Sequence, residues 1–212
     1  MLLYAAMYAA FGVASPFLPA LVSARGLSAE QLGLVLGAGT AVRLLTAPLA
    51  GRTGDVLQGL RIVLVACTAL AASVTLGYLP ARGFWPLFAL SLVHAAALGP
   101  LTVLADALAL GAASPPPGSG RRGFEYGWVR GTGSAAFIVG TVLSGQAVSA
   151  FGLDVIVWLQ ALLLGAAAVA ATLVPELRHA RPAAAVRAPA GGVLLLLQRP
   201  RFRHLVLVAA LI

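Results

Sequence analysis

Gly83 to Ala105 reads GFWPLFALSLVHAAALGPLTVLA, twenty-three residues without a formal charge. A helix rising about 1.5 Å per residue needs roughly 20 apolar residues to cross about 30 Å of hydrocarbon, so this stretch is long enough to span a bilayer. Trp85 near its start suits an interfacial anchor, and Gly99-Pro100 places a kink inside it. The same pattern repeats on both sides. Met1 to Ala24, Ile62 to Ala81, Gly131 to Leu153 and Val155 to Pro175 are also uncharged, and a sixth run is interrupted only by Arg43.

Composition supports this reading. The chain of 212 residues is 60% hydrophobic and 9% charged, whereas a soluble domain carries about a quarter charged residues. The expectation is an all-α integral membrane protein in contact with a lipid bilayer. Net charge is +8 and every basic residue other than histidine is arginine. Arg52, Arg61, Arg121, Arg122, Arg178, Arg181, Arg187, Arg199, Arg201 and Arg203 fall in alternate loops, while the other loops hold Arg25 and Arg82 beside Glu30 and Asp154. This asymmetry follows the positive-inside rule and puts the amino terminus and the loops near residues 52–61, 112–124 and 176–203 in the cytoplasm. The predicted location is the cytoplasmic (inner) membrane, multi-pass. Nucleic acid is not an expected partner, because that would require a folded basic face with stacking aromatics. Met1-Leu2-Leu3-Tyr4 lacks a basic leader region, so the first span reads as retained. A lone Cys67 excludes a disulfide framework or a thiolate metal cluster, and no metal is expected.

The spans can be bounded from their breakers. The first runs from about Leu2 to Val22, with Pro16 and Pro19 in its outer end. Ser28 and Gln31 form a capping box opening the second, Ala29 to about Ala50. A cytoplasmic loop from Gly51 to Arg61 leads to the third, Ile62 to Leu79, ended by Pro80. The fourth extends to about Leu110. Ala112 to Gly123, rich in proline and glycine, is a loop. The fifth runs from about Phe124 to Ala150 and the sixth from Asp154 to Leu173. Residues 1–175 are thus expected as a six-helix bundle and 176–203 as a basic cytoplasmic linker, with one surface-lying helix around Val193 to Leu197. Residues 204–212 begin a further apolar run too short to span, which predicts a seventh helix cut within its length. That order is the front half of a duplicated twelve-helix plan, with the C-terminal half as the missing partner.

The loop Gly51-Arg52-Thr53-Gly54-Asp55-Val56-Leu57-Gln58-Gly59-Leu60-Arg61 resembles the signature loop of the major facilitator superfamily. Gly51, Asp55, Gly59 and Arg61 are kept, while Val56 stands where a basic residue is usual. Tyr126-Gly127-Trp128-Val129-Arg130-Gly131-Thr132-Gly133-Ser134, preceded by Asp106-Ala107-Leu108, is similar to a branch of proton symporters that includes phenylpropionate, nucleoside and lactose permeases. The resemblance implies two three-helix inverted repeats making the N-terminal half of a twelve-helix facilitator fold. It also implies a secondary active transporter, in particular a proton-coupled symporter moving a small organic solute by alternating access. The proton gradient would be the energy source and no cofactor would be needed. Gly51, Asp55, Gly59 and Arg61 would then form a conformational latch.

Several residues stand out as substrate or coupling candidates. Asp106 and Arg130 lie at matching depths of roughly 8–9 Å from the cytoplasmic ends of their helices. Intramembrane charges usually pair or face water, so an Asp106–Arg130 ion pair is expected, either as a gate or as a static bridge. Arg43 sits deep in the second span and must find water or a carboxylate, either as an anion-binding or coupling residue of a central cavity or by snorkelling or pairing with a carboxylate outside these residues. Tyr4, Tyr8, Phe11 and Ser15 recur on one helix face, where they either stack a ring-shaped solute or pack. His94 can relay protons or sit hydrogen-bonded in a packed interior. Gly33 and Gly37, and Gly127 and Gly131, form small-xxx-small pairs that suit close helix contacts; in a facilitator they would mark the second and fifth helices where these press against the opposite half, and without that half they should stay exposed. An enzyme is not expected, since no His-Glu-x-x-His helix, nucleophile elbow or intramembrane aspartate pair is present. The alternative to a transporter is a channel subunit or a non-transport membrane module.

Overall fold

The computed structural model describes residues 1–57, 59–113, 123–174, 200 and 202–203. Two compact units divide the chain, Met1–Leu177 and Arg178–Ile212. The expected linker, its surface helix and the start of a seventh span lie almost wholly outside the described residues.

Every regular element in the first unit is an α-helix: α1 (Leu2–Ala24), α2 (Ala29–Leu57), α3 (Leu60–Leu76), α4 (Phe84–Leu98), α5 (Leu101–Ala113), α6 (Tyr126–Phe151) and α7 (Val155–Thr172). In hydrocarbon each backbone polar group needs an internal partner, which leaves helices as the form open to these sequences. α4 and α5 are two arms of one apolar span, Phe84–Ala113. Pro100 cannot donate a backbone bond and its ring crowds the preceding turn, so the helix breaks there. α3 is 17 residues long, about 25 Å, and is the shortest crossing.

Both halves of the predicted capping box form. Ser28 N–H donates to Gln31 Oε1 at 3.1 Å and Gln31 N–H donates to Ser28 Oγ at 3.3 Å. Gly26, Gly83 and Gly152 have positive φ, at 103°, 74° and 81°, a conformation that glycine adopts without a Cβ penalty. They allow the three turns at one end of the bundle to be short. At the other end the structure departs from expectation, because α2 does not stop at Ala50. It continues through Gly51 and Arg52 to Leu57, and Gly59 caps α3. Gly54 has no side chain to keep Leu60 away, where an added Cβ would come within 2.4 Å of the leucine side chain. The chain therefore turns back tightly, without the long loop that its glycines suggest.

Counting α4–α5 as the fourth span, α6 as the fifth and α7 as the sixth, the principal packing pairs are one with five, two with four, three with six, one with six and three with four. Exchanging spans one, two and three for four, five and six reproduces the same set. Sequential neighbours obey the same exchange: one–two becomes four–five, and two–three becomes five–six. The packing thus has the symmetry expected of two three-helix repeats. Because lipid gives apolar helices little reason to associate, close van der Waals fit carries much of this contact. α1 and α6 meet through glycine. A Cβ on Gly12 would lie 2.2 Å from the Phe137 carbonyl oxygen, and one on Gly140 2.6 Å from that of Ala9. Thr141 Oγ1 lies 3.0 Å from the Gly12 carbonyl across the same seam and 3.0 Å from the Phe137 carbonyl of its own helix, its one hydrogen shared between them.

Only 11% of the most apolar stretches of α2 and α6 is buried, against 39% in α1 and α7 and 44% in α4–α5. α2 and α6 are therefore the peripheral helices of this bundle. Gly33 and Gly37 on α2, and Gly127 and Gly131 on α6, have open space where a Cβ would stand. The seam within the bundle uses Gly12 and Gly140, whereas the small-residue pairs expected to face the opposite half have no neighbour among the described residues.

Candidate functional site

Three helices bring polar side chains together near the N-terminal end of α1. Tyr4 and Tyr8 lie one turn apart on α1, Asp106 projects from α5, and Tyr126 and Arg130 lie one turn apart on α6. The i, i+4 spacing places each pair on one helix face. Tyr4 O–H donates to Asp106 Oδ1 at 2.6 Å, and Tyr126 O–H donates to the same oxygen at 2.7 Å. Arg130 Nη1 lies 3.4 and 3.5 Å from the two carboxylate oxygens and also donates to the Tyr8 hydroxyl. Its guanidinium carbon stands 5.4 Å from the centre of the Tyr8 ring.

Burial ranks these contacts. Tyr4 is 2% exposed, whereas the Arg130 and Asp106 side chains are 45% and 31% exposed. A long ion pair with that much solvent contributes at most about 1 kcal/mol, while short hydroxyl bonds to a charged acceptor contribute about 1.5–3 kcal/mol. The tyrosines thus hold the carboxylate, and Arg130 remains partly available on its open side. Tyr4 and Tyr8 stack with ring centres 5.8 Å apart, and Phe11 meets Tyr8 edge-on at 5.6 Å. The result is an aromatic ladder on α1 with a guanidinium at one rung. Gly133 on α6 makes room for it, since a Cβ there would approach the Tyr8 ring to 3.0 Å. Ser15, expected on the same face, is exposed beyond the ladder.

His94 occupies a different environment, between α3, α4 and α7. It is 2% exposed. Thr75 Oγ1 lies 3.1 Å from its Nε2 and the Gln160 amide 3.4 Å from the same nitrogen. Thr75 donates its own hydroxyl hydrogen to the Ala71 carbonyl at 2.7 Å. Tyr78 packs edge-on against the imidazole at 5.6 Å and donates to Ser91 Oγ at 3.0 Å. This is the hydrogen-bonded interior histidine, apart from the Asp106 cluster. Arg43 lies midway along α2, apart from the Asp106 cluster, on the wall of a cleft that His94, Tyr78 and Ser91 also line.

At the opposite end of the bundle from the Asp106 cluster, Arg25 is buried beneath the turns. It bonds Asp154 at the start of α7 and donates to the Tyr78 carbonyl at 2.7 Å and to that of Leu79. Of the signature-loop residues, Gly51 is helical, Gly59 is buried beneath the α2–α3 turn and Arg61 donates to the Val174 carbonyl at 3.2 Å. The Asp55 side chain lies outside the described residues. Among the described residues, no three His, Cys, Asp or Glu side chains gather as a metal site.

The sequence pattern of the MFS_1 like family matches residues 1–212. The chain belongs to this family. A probable 3-phenylpropionic acid transporter from Escherichia coli (strain K12) is 31% identical over 170 residues, which cover 78% of this chain and 42% of that protein. The chain therefore spans less than half the length of this curated relative. As a member of this family, it is a multi-pass membrane protein, and the spans among its described residues are arranged as a half-fold. Its polar residues then divide by position: Asp106, Arg130 and the tyrosines at one end, His94 within the packed interior, and Arg25 tying the other end.

Sequence reasoning placed Asp106, Arg130, Tyr4 and Tyr8 as candidates but left Tyr126 aside. Its spacing of four from Arg130 was the available signal. Thr75, Tyr78, Ser91 and Gln160 were also passed over. Thr75 and Tyr78, like Ser91 and His94, are three apart and share a helix face, but nothing in the linear order pairs the two faces.

Proposed function

We propose that this chain forms the substrate- and proton-handling half of a secondary active transporter for a small organic acid, working with a second six-span half by alternating access. The supporting observation is the Asp106 carboxylate, which accepts from Tyr4 and Tyr126 and faces Arg130 across three helices. As a carboxylate it satisfies three donors. On taking a proton it presents a donor of its own, loses its attraction for the guanidinium and frees Arg130. Proton binding and the Asp106–Arg130 pair therefore compete, which is the linkage a symporter needs. The proton gradient supplies the energy, and the N-terminal end of α1 faces the cytoplasm of a cell whose inner membrane holds the protein.

The released guanidinium suits a substrate carboxylate, and the adjacent Tyr8 and Phe11 rings suit an aromatic body. The E. coli relative's printed substrate, 3-phenylpropionic acid, combines these two features and is the natural first probe. Uptake of labelled 3-phenylpropionate by proteoliposomes carrying the full-length protein tests the assignment. An imposed proton gradient is expected to drive saturable accumulation. Asp106→Asn is expected to abolish gradient-driven accumulation while leaving solute exchange. Accumulation equal to the parent's in a folded Asp106→Asn protein would remove Asp106 from the coupling role.

A further inference from the structure

α2 carries a charge at its midpoint that the bundle does not neutralise. Arg43 is about 21 Å from either end of α2, and among the described residues no ion pair or side-chain hydrogen bond reaches its guanidinium. Such a charge at mid-membrane depth is costly without water or an anion. It opens on a cleft of about 130 Å³ between α1, α2, the end of α3 and α4, whose polar lining is Thr40, Arg43, Tyr78, Ser91 and His94. No acidic side chain borders this space.

The hydrogen bonds indicate what the cleft can receive. Thr40 donates to the Leu36 carbonyl at 2.9 Å, Tyr78 donates to Ser91, and His94 Nε2 is engaged by Thr75 and Gln160. Ser91, having accepted from Tyr78, retains its own hydroxyl hydrogen. The guanidinium and the Ser91 O–H are therefore the donors left to the cleft, beside the oxygen lone pairs of Thr40 and Tyr78. The remaining walls, including Leu18, Val22 and Val35, are apolar. A planar guanidinium matches a carboxylate with two parallel hydrogen bonds. The volume equals roughly four waters at about 30 Å³ each, enough for a carboxylate with two or three carbons. The apolar walls favour an alkyl tail over a bare inorganic ion.

We infer that the Arg43 cleft is a second anion site, distinct from the Asp106 cluster, that binds a short-chain monocarboxylate through Arg43 and Ser91. The inference does not rest on the transport assignment. Radiolabelled propionate binding to the full-length protein in nanodiscs, in chloride-free buffer, provides the test. Saturable binding is expected. Arg43→Gln and Ser91→Ala should weaken it at least tenfold and several-fold respectively, whereas Arg82→Gln, at the exposed α3–α4 turn, should change it less than twofold. Thermal unfolding without propionate should find Arg43→Gln at least as stable as the parent, because an uncompensated charge has been removed. Absence of saturable binding to the folded parent would overturn the inference and leave Arg43 to a protein carboxylate. Unchanged binding in Arg43→Gln, equal loss in Arg82→Gln, or displacement by equimolar chloride would each overturn it as well.

Discussion

Substitution of Gly12 by alanine tests the α1–α6 seam directly. The new Cβ would fall 2.2 Å from the Phe137 carbonyl oxygen and 3.0 Å from both Thr141 Oγ1 and the Phe137 carbonyl carbon. The obstacle is backbone, so no side chain can swing aside. The helices must part by about 1 Å to restore normal contact, and a gap of that size forfeits a quarter to a half of the dispersion energy of the atoms along it. The Thr141 bond to the Gly12 carbonyl goes with it, at about 1 kcal/mol. Adding an overpacking cost of about 1–3 kcal/mol gives a destabilisation of about 3 kcal/mol. Cys67, the single cysteine and partly shielded in α3, makes a thiol-reactive fluorogenic dye a reporter of thermal unfolding. At about 2–4 °C per kcal/mol, Gly12→Ala should lower the midpoint by roughly 6 °C or more. Gly131→Ala is the control, because nothing lies within 4 Å of its Cβ position, and its midpoint should match or exceed the parent's. Equal midpoints for the two variants would refute the seam as the source of α1–α6 cohesion.

Arg25 and Asp154 should behave asymmetrically, although they form one ion pair. Arg25→Ala leaves the buried Tyr78 carbonyl without its donor, the Leu79 carbonyl keeping Arg82, and should cost about 1–3 kcal/mol, whereas Asp154, 61% exposed, should lose less than about 1 kcal/mol on change to asparagine. Denaturant titration of both variants checks this, and equal losses would contradict it. Ser28→Ala removes one arm of the capping box and should cost about 1 kcal/mol, with Ser28→Asp restoring most of it in the same titration. Tyr4→Phe should weaken gradient-driven accumulation more than Tyr126→Phe, because Tyr4 is the buried donor to Asp106; proteoliposome uptake that ranks them in the reverse order would count against this hierarchy.

Much of this architecture was written in the linear order. A bilayer imposes length and apolarity on each crossing, so five of the spans can be bounded from uncharged runs and the sixth from a run broken only by Arg43. The Ser28–Gln31 box and the Gly99–Pro100 break were readable because both are local: they depend on residues within one turn of each other. Asp106 and Arg130 were also readable, since intramembrane charge demands a partner and these stood at matching depths.

Tertiary structure decided the rest. Whether a glycine serves a contact depends on the rotation of its helix about its own axis, which is why Gly12 and Gly140 bear the seam while Gly33, Gly37, Gly127 and Gly131 face open space. The continuation of α2 to Leu57 arose from Leu60 settling against Gly54, a contact that helix propensity and turn residues do not encode. Tyr126 reached Asp106, and Thr75 and Gln160 reached His94, only because crossing helices brought together side chains far apart in the chain. Lipid dictates from sequence which segments must be helices; the side-chain fit between those helices, fixed by their rotation and crossing, determines which polar groups meet.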